Sequence, residues 1–220
     1  MSAKIQFSPQ EKDLMTDTGW ILTKQNITEK IYALFAELYD YQKQQIKNIP
    51  FLSSQIFTSS GKIYKGENYL GLPYIILDHP AIFKKENLFV VRTMFWWGNF
   101  FSVTLHTYGE HKYLLQHNKK QTLQFLQQKQ FYICVHDHQW QHHFKKDNYT
   151  PATNFSLPEF EKIMEKDFFK IAKKLPVTKA GNAYDFLTAG FDEIIEMINF
   201  NCQGGEKDLS PVSPTTGSGL

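Results

Sequence analysis

VVRTMFWWGNFFSVTL, residues 90 to 105, is the most apolar and aromatic passage of a 220-residue chain, and it holds the only arginine, Arg92. Its two halves alternate as strands do. Gly98-Asn99 between them is a type II′ hairpin signal, because glycine at the first central position accepts positive φ without steric cost. With that two-residue turn Trp97 opposes Phe100, Trp96 faces Phe101, Met94 faces Val103 and Arg92 faces Leu105, all on one side of a sheet. The other side then carries Trp97, Phe95, Val91 and Phe89, with Thr93, Ser102, Thr104 and His106. Both sides are mostly apolar near the turn. The sheet is therefore expected to be covered on both faces, or on one face with a ring-lined cavity or partner surface on the other.

A guanidinium on the drier face is costly to bury unless it is paired. Three roles fit Arg92: a buried ion pair tying helix to sheet, a binding group for a ligand carboxylate or phosphate at the mouth of an aromatic pocket, or a residue turned to solvent by a bulge. With LPYIILD as the neighbouring strand, Tyr74 is expected near Arg92 and able to stack on it. Asp78 falls too far along that strand to pair, which leaves Glu37 and Asp40 of the first helix as the favoured carboxylates. In this register His106 faces away from Arg92. The candidate ligand-binding residues are Arg92, Tyr74, Trp97 and His106.

Strand periodicity extends outward from the hairpin through GKIYKG, LPYIILD, LFVVRTMFWW, FFSVTLHT and KYLLQ, separated by KGEN, DHP, KKEN and YGE turns. NKKQTLQFLQQKQ interrupts it as a short helix with Asn118 and Gln121 at cap spacing, before FYICVH returns to strand. Upstream, NITEKIYALFAELYDYQKQQIKNIP reads as a long helix capped by Asn26 and Glu29 and closed by Pro50. Its inner face is expected to carry Ile27, Ile31, Leu34, Leu38, Tyr41 and Gln45. Downstream, Ser156 and Glu159 make a capping box with Pro158 in the first turn, and apolar positions from Phe160 to Leu175 extend that helix. Asn182 caps a second helix with Tyr184, Leu187, Phe191, Ile194 and Ile198 inward. The expected class is α+β: an antiparallel meander sheet of five to seven strands, a long N-terminal helix, one helical insertion and two C-terminal helices packed on it. Residues 1–203 read as a single domain and 204–220 as a flexible Gly/Ser/Pro/Thr-rich tail.

The chain carries 19 Phe, 11 Tyr and 4 Trp, which supply a thick, ring-rich core. Its formal charge is only +2, with Lys mixed among Asp and Glu, so no net field draws it to nucleic acid or an anionic membrane. A single arginine also argues against base-specific DNA readout. The longest apolar run, IYALFA at 31–36, is far short of a membrane span, and MSAKIQFSPQEKD has no signal-type apolar region, so a soluble cytoplasmic protein is expected. Cys134 and Cys202 lack CxxC spacing and read as packing thiols.

VHDHQWQHHF, residues 135 to 144, holds four of the eight histidines. On a strand His136 and His138 share a side and His142 can join them, which is ligand geometry for zinc; as a hairpin tipped by Asp137 to Gln139 the same residues are exposed, with Trp140 and Phe144 inward. No HExxH, nucleophile elbow, P-loop or dinucleotide fingerprint occurs, so the reading leans away from an enzyme. The expected function is a non-enzymatic binding or assembly protein. It engages a protein partner, a second copy of itself, or an apolar or anionic ligand through the aromatic-rich sheet, with no cofactor required. The alternative is a metal-dependent hydrolase using His136, His138 and His142 with zinc.

Overall fold

The computed structural model describes residues 5–47, 59–113 and 115–205. Seven antiparallel strands form one sheet in the order β1-β2-β3-β4-β7-β5-β6. They are β1 (Lys62–Tyr69), β2 (Leu72–Phe83), β3 (Leu88–Trp96), β4 (Phe100–Tyr108), β5 (Tyr132–Cys134), β6 (Tyr149–Pro151) and β7 (Phe168–Pro176). The helices are α1 (Pro9–Thr16), α2 (Thr18–Ile46), the single turn α3 (Glu110–Tyr113), α4 (Lys119–Gln128), α5 (Leu157–Glu165) and α6 (Ala183–Gly205). The α+β architecture with a long N-terminal helix, an inserted helix and C-terminal helices is the one expected.

Several local expectations are corrected. KYLLQ begins in the helical turn α3 rather than as a strand. FFKIAKKL leaves α5 at Lys166 and becomes β7, because Phe169 and Ile171 face one side while Phe168, Lys170 and Ala172 face the other, a two-residue alternation inside what also scans as a helical stripe. That strand slots between β4 and β5 and closes the sheet's second half. Helix α2 starts at Thr18, where the Asp17 carboxylate accepts from the Trp20 N–H at 2.9 Å, so Asn26 and Glu29 lie inside it. Its buried face is Ile31, Phe35, Leu38, Gln42 and Ile46, while Ile27 and Gln45 are exposed. The Ser156–Glu159 capping box forms as expected; Asn118 makes no side-chain cap and instead donates to the Phe200 carbonyl. Pro50 and residues 206–220 of the expected tail lie outside the described residues, and α6 runs on through Gly205.

The sheet has two unlike faces. One packs under α2, α4 and α6 and is apolar: Ile75, Leu77, Val91, Phe95, Phe101, Val103, Leu105 and Ile171 meet Phe35, Leu38, Leu187, Phe191 and Ile194. Helix α6 comes so close at Gly190 that a Cβ there would stand 2.5 Å from Val103 Cγ1. The opposite face is covered by the irregular strap 135–148 that links β5 to β6.

Candidate functional site

The hairpin turn decides what shares a face with Arg92. Asn99 N–H donates to the Trp96 carbonyl at 3.0 Å, and Gly98 has φ +70° at the third turn position, as a type II turn requires. Three residues, Trp97 to Asn99, therefore separate the strands, and Trp96 pairs with Phe100. The expected II′ register is off by one. Since side chains alternate with period two, that slip exchanges the faces of β4 relative to β3. Arg92 stands opposite Thr104 rather than Leu105, and His106, expected to face away, lies on the same side as Arg92.

The neighbouring strand is also differently placed. Asp78 is directly opposite Arg92, and Tyr74 is opposite Trp96 at the hairpin end. A bulge follows at His79 and Pro80, where two residues of β2 face one of β3. Asp78, expected to be out of reach, holds Arg92 in a two-pronged pair: Nε to Oδ1 at 2.7 Å and Nη2 to Oδ2 at 2.8 Å. Glu37 and Asp40 are exposed on α2, beyond the other face of the sheet. The ion pair thus joins strand to strand, not helix to sheet.

Four of the five arginine N–H groups meet side-chain acceptors. Tyr64 Oη accepts from Nη2 at 3.1 Å and donates to Asp78 Oδ2 at 3.1 Å. Burial pushes the Tyr64 phenol up to about 12, so it stays protonated for that double duty. His142 Nε2 lies 3.3 Å from Arg92 Nη1 and acts as acceptor. That role needs a neutral ring, and burial, reinforced by Lys170 and Arg92, lowers the His142 pKa well below its ordinary range. Trp140 lies over the guanidinium at 5.9 Å and edge-on to His106 at 5.2 Å. Burial alone would lower the arginine's pKa, but the Asp78 hydrogen bonds and charge more than offset it and the net shift is upward.

Lys170, one row along on β7 beside His106, completes the cluster. It is 1% exposed, yet its ammonium meets carbonyls instead of a carboxylate: Gln139 O at 2.8 Å and, in a shorter contact, Gln141 O. The Tyr149 ring lies 5.3 Å from it. Burial lowers its pKa to about 8. His106 is driven down to about 3, by burial first and then by Lys170 and Arg92. The strap is fastened further by Tyr69 Oη, which accepts from His142 N at 2.7 Å and His143 N at 3.0 Å, and by Phe144 stacked on Tyr149 at 4.6 Å.

The three histidines expected as zinc ligands are not brought together. His142 is spent on Arg92, while His136 Nδ1 accepts from His138 N and His138 Nδ1 accepts from Trp140 N in local turns. Among the described residues no three His, Cys, Asp or Glu side chains are grouped to hold a metal ion. Of the four ligand-binding candidates, Arg92 and His106 share one cluster. Tyr74 is on their face but at the hairpin end, and Trp97 packs on the helix-covered face against Phe95. The partners that sequence reasoning missed are Asp78, Tyr64 and Lys170. A charge ending the alternation of LPYIILD and a lysine on the odd beat of FFKIAKKL were the available signals.

Beyond the strap, at the Leu88 and Tyr108 ends of β3 and β4, a cleft of about 760 Å³ opens to solvent. Leu88 and Phe168 line it, Phe83 and Trp140 stand at 56% and 40% exposure, and Lys84, Lys85, Asp167 and the Asp137–Lys166 ion pair add charge, with the cations in slight excess. Its size is that of a small-ligand or peptide-side-chain pocket, within the usual range of about 300–1,000 Å³. No protein-family model matches this chain, and no curated protein matches it in sequence.

Proposed function

We propose that the protein is a non-enzymatic binding protein whose ligand seat is the cleft between Phe83 and Trp140, and that it takes a group combining an apolar or aromatic body with an acidic substituent. The observation that carries the proposal is the pair of large rings left half-exposed at one cleft while the rest of the ring-rich sheet is covered. Phe83 and Trp140 offer faces for stacking, Leu88 and Phe168 give an apolar lining, and Lys84 and Lys85 stand where an anionic end would lie. The Arg92 cluster serves this seat indirectly. With its guanidinium engaged by Asp78, Tyr64 and His142, it holds Trp140 in place rather than receiving the ligand.

Anilinonaphthalene sulfonate, an aromatic ring system with one fixed negative charge, is a suitable probe. The native protein is expected to bind it at one site, with affinity lowered about tenfold by Phe83→Ser and severalfold by Lys84→Gln with Lys85→Gln, at unchanged melting temperature. Equal binding by all three proteins would sink the proposal.

A further inference from the structure

We propose that the N-terminal helical arm, α1 and the first half of α2, is a homodimer interface in which α1 of each copy seats beside α2 of the other in an antiparallel pair. The inference goes beyond the cleft and is independent of it. Thirteen large apolar side chains are exposed among the described residues, and seven of them, Ile5, Phe7, Leu14, Met15, Trp20, Leu22 and Ile27, fall within the first 27 positions. Helix α1 buries nothing, and on α2 no residue before Ile31 is buried although the helix starts at Thr18. Short helices gain most of their stability from packing, so an apolar-bearing arm that buries none of its own residues is a candidate for a covering partner.

Charge and fit favour a second copy. On α2 Trp20 and Ile27 lie two turns apart on one side, while Leu22 points about 200° away from Trp20. At about 150–200 Å² each and roughly half exposed, Leu14, Met15, Trp20 and Ile27 offer on the order of 350 Å² per molecule, the size of one apolar patch on a monomer, so area allows a second copy and the charge pattern selects it. The arm is also self-complementary. Residues 9–17 carry Glu11, Asp13 and Asp17 against Lys12, whereas residues 18–30 carry Lys24 and Lys30 against Glu29. Laid antiparallel about a two-fold axis, the acidic end of one arm meets the basic stretch of the other, which is the isologous arrangement a symmetric dimer uses. A groove of about 630 Å³ between α2 and the β1–β2 hairpin, lined by Trp20, Tyr74 and Trp97 and rimmed by Lys24, Lys65 and Glu67, gives Leu14 and Met15 of the second copy a place to lie with Asp13 near its cations.

Sedimentation equilibrium of the full chain tests this. The wild type is expected as a monomer–dimer mixture, and Leu14→Ser with Met15→Ser should weaken dimerisation about tenfold or more. Because neither side chain is buried within the molecule, the melting temperature at monomeric dilution should stay unchanged. Asp13→Lys alone and Lys24→Glu alone should each weaken the dimer, and the double variant should regain it, which a general loss of apolar surface does not explain. A wild type that is monomeric throughout, or a dimer indifferent to the arm variants, overturns the proposal. The part of anilinonaphthalene sulfonate binding that Phe83→Ser removes reports the cleft, and its persistence in the arm variants lets either idea fail alone.

Discussion

The two faces of the sheet solve the burial problem in opposite ways. Under α2 and α6 the interface is hydrocarbon on hydrocarbon, with Phe35, Leu38, Leu187, Phe191 and Ile194 all at 0% exposure. Polar groups intrude there at a few points: Gln42 and His79 lie 3.2 Å apart, Thr93 is buried among the apolar side chains, and Lys173 donates to Glu193 at 2.7 Å toward the edge. Under the strap, Arg92, Asp78, His106 and Lys170 are also almost wholly buried, and each is satisfied by a specific partner or held neutral. Apolar packing tolerates many neighbours, because contact is non-directional. A buried ion pair tolerates few, because the desolvation penalty is recovered only with good geometry. The difference teaches that the strap face sets which loop lies where, while the helix face supplies bulk stability.

The largest expected effect separates the faces by rescue. Asp78→Ala leaves a buried guanidinium unpaired and is expected to destabilise by about 3–5 kcal/mol in urea unfolding. Replacing both partners, Asp78→Leu with Arg92→Met, should recover most of that loss. On the helix face Phe191→Ala is expected to lower stability by a similar amount, about 3–5 kcal/mol, with no second substitution of charge able to restore it. A double variant as unstable as Asp78→Ala alone would mean that the ion pair contributes more than the removal of a penalty.

Acid titration comes next in size. His106 has a folded pKa of about 3 against an ordinary 6.5. Between those values the unfolded chain binds a proton that the native state refuses, so stability falls as pH drops from 6.5 toward 3. The slope from this one ring is about 1.4 kcal/mol per pH unit. His79 on the helix face, at about 4, acts in the same direction over a shorter window. His106→Gln should therefore flatten the profile of unfolding free energy between pH 4 and 6.5 more than His79→Gln does at its lower end. Parallel profiles for wild type and His106→Gln would contradict the burial of a neutral imidazole under Trp140.

The smallest effect concerns the strap alone. Lys170→Met removes the donor to the Gln139 and Gln141 carbonyls and is expected to destabilise by about 1–2 kcal/mol. Amide hydrogen exchange should rise across 135–148 and remain unchanged in α6. In the wild type the lysine's folded pKa of about 8 lies below its ordinary 10.5, so the unfolded chain holds the extra proton between them and stability gains from this group as pH rises above 8. The variant should lack that gain. Exchange spreading evenly over both faces would erase the distinction between strap and helices.

Much of the architecture was readable in the chain, and the errors have physical causes. Alternation located β1 to β5, and three- and four-residue spacing located α2, α4, α5 and α6, because burial of one face imposes a period on the side chains. The segment 168–176 misled because Phe168, Ile171 and Leu175 also fit a helical stripe; only pairing with β4 on one side and β5 on the other makes it a strand. The candidate site was half legible. Arg92 and His142 stood out as rare or clustered residues, but their meeting spans 50 positions and rests on a loop with no period to read.

What composition and pattern dictate, then, is the class of fold, the apolar face under the helices, and the need for an anion beside Arg92, since an unpaired guanidinium in a dry sheet is too costly to keep. Which anion depended on the β2–β3 register that sets Asp78 opposite Arg92, and which residues of β4 share that face depended on one residue in the turn after Trp96. Local preference at Gly98 is compatible with either a two- or a three-residue turn, so the register was settled by packing along the whole length of β3 and β4 and not by the turn itself.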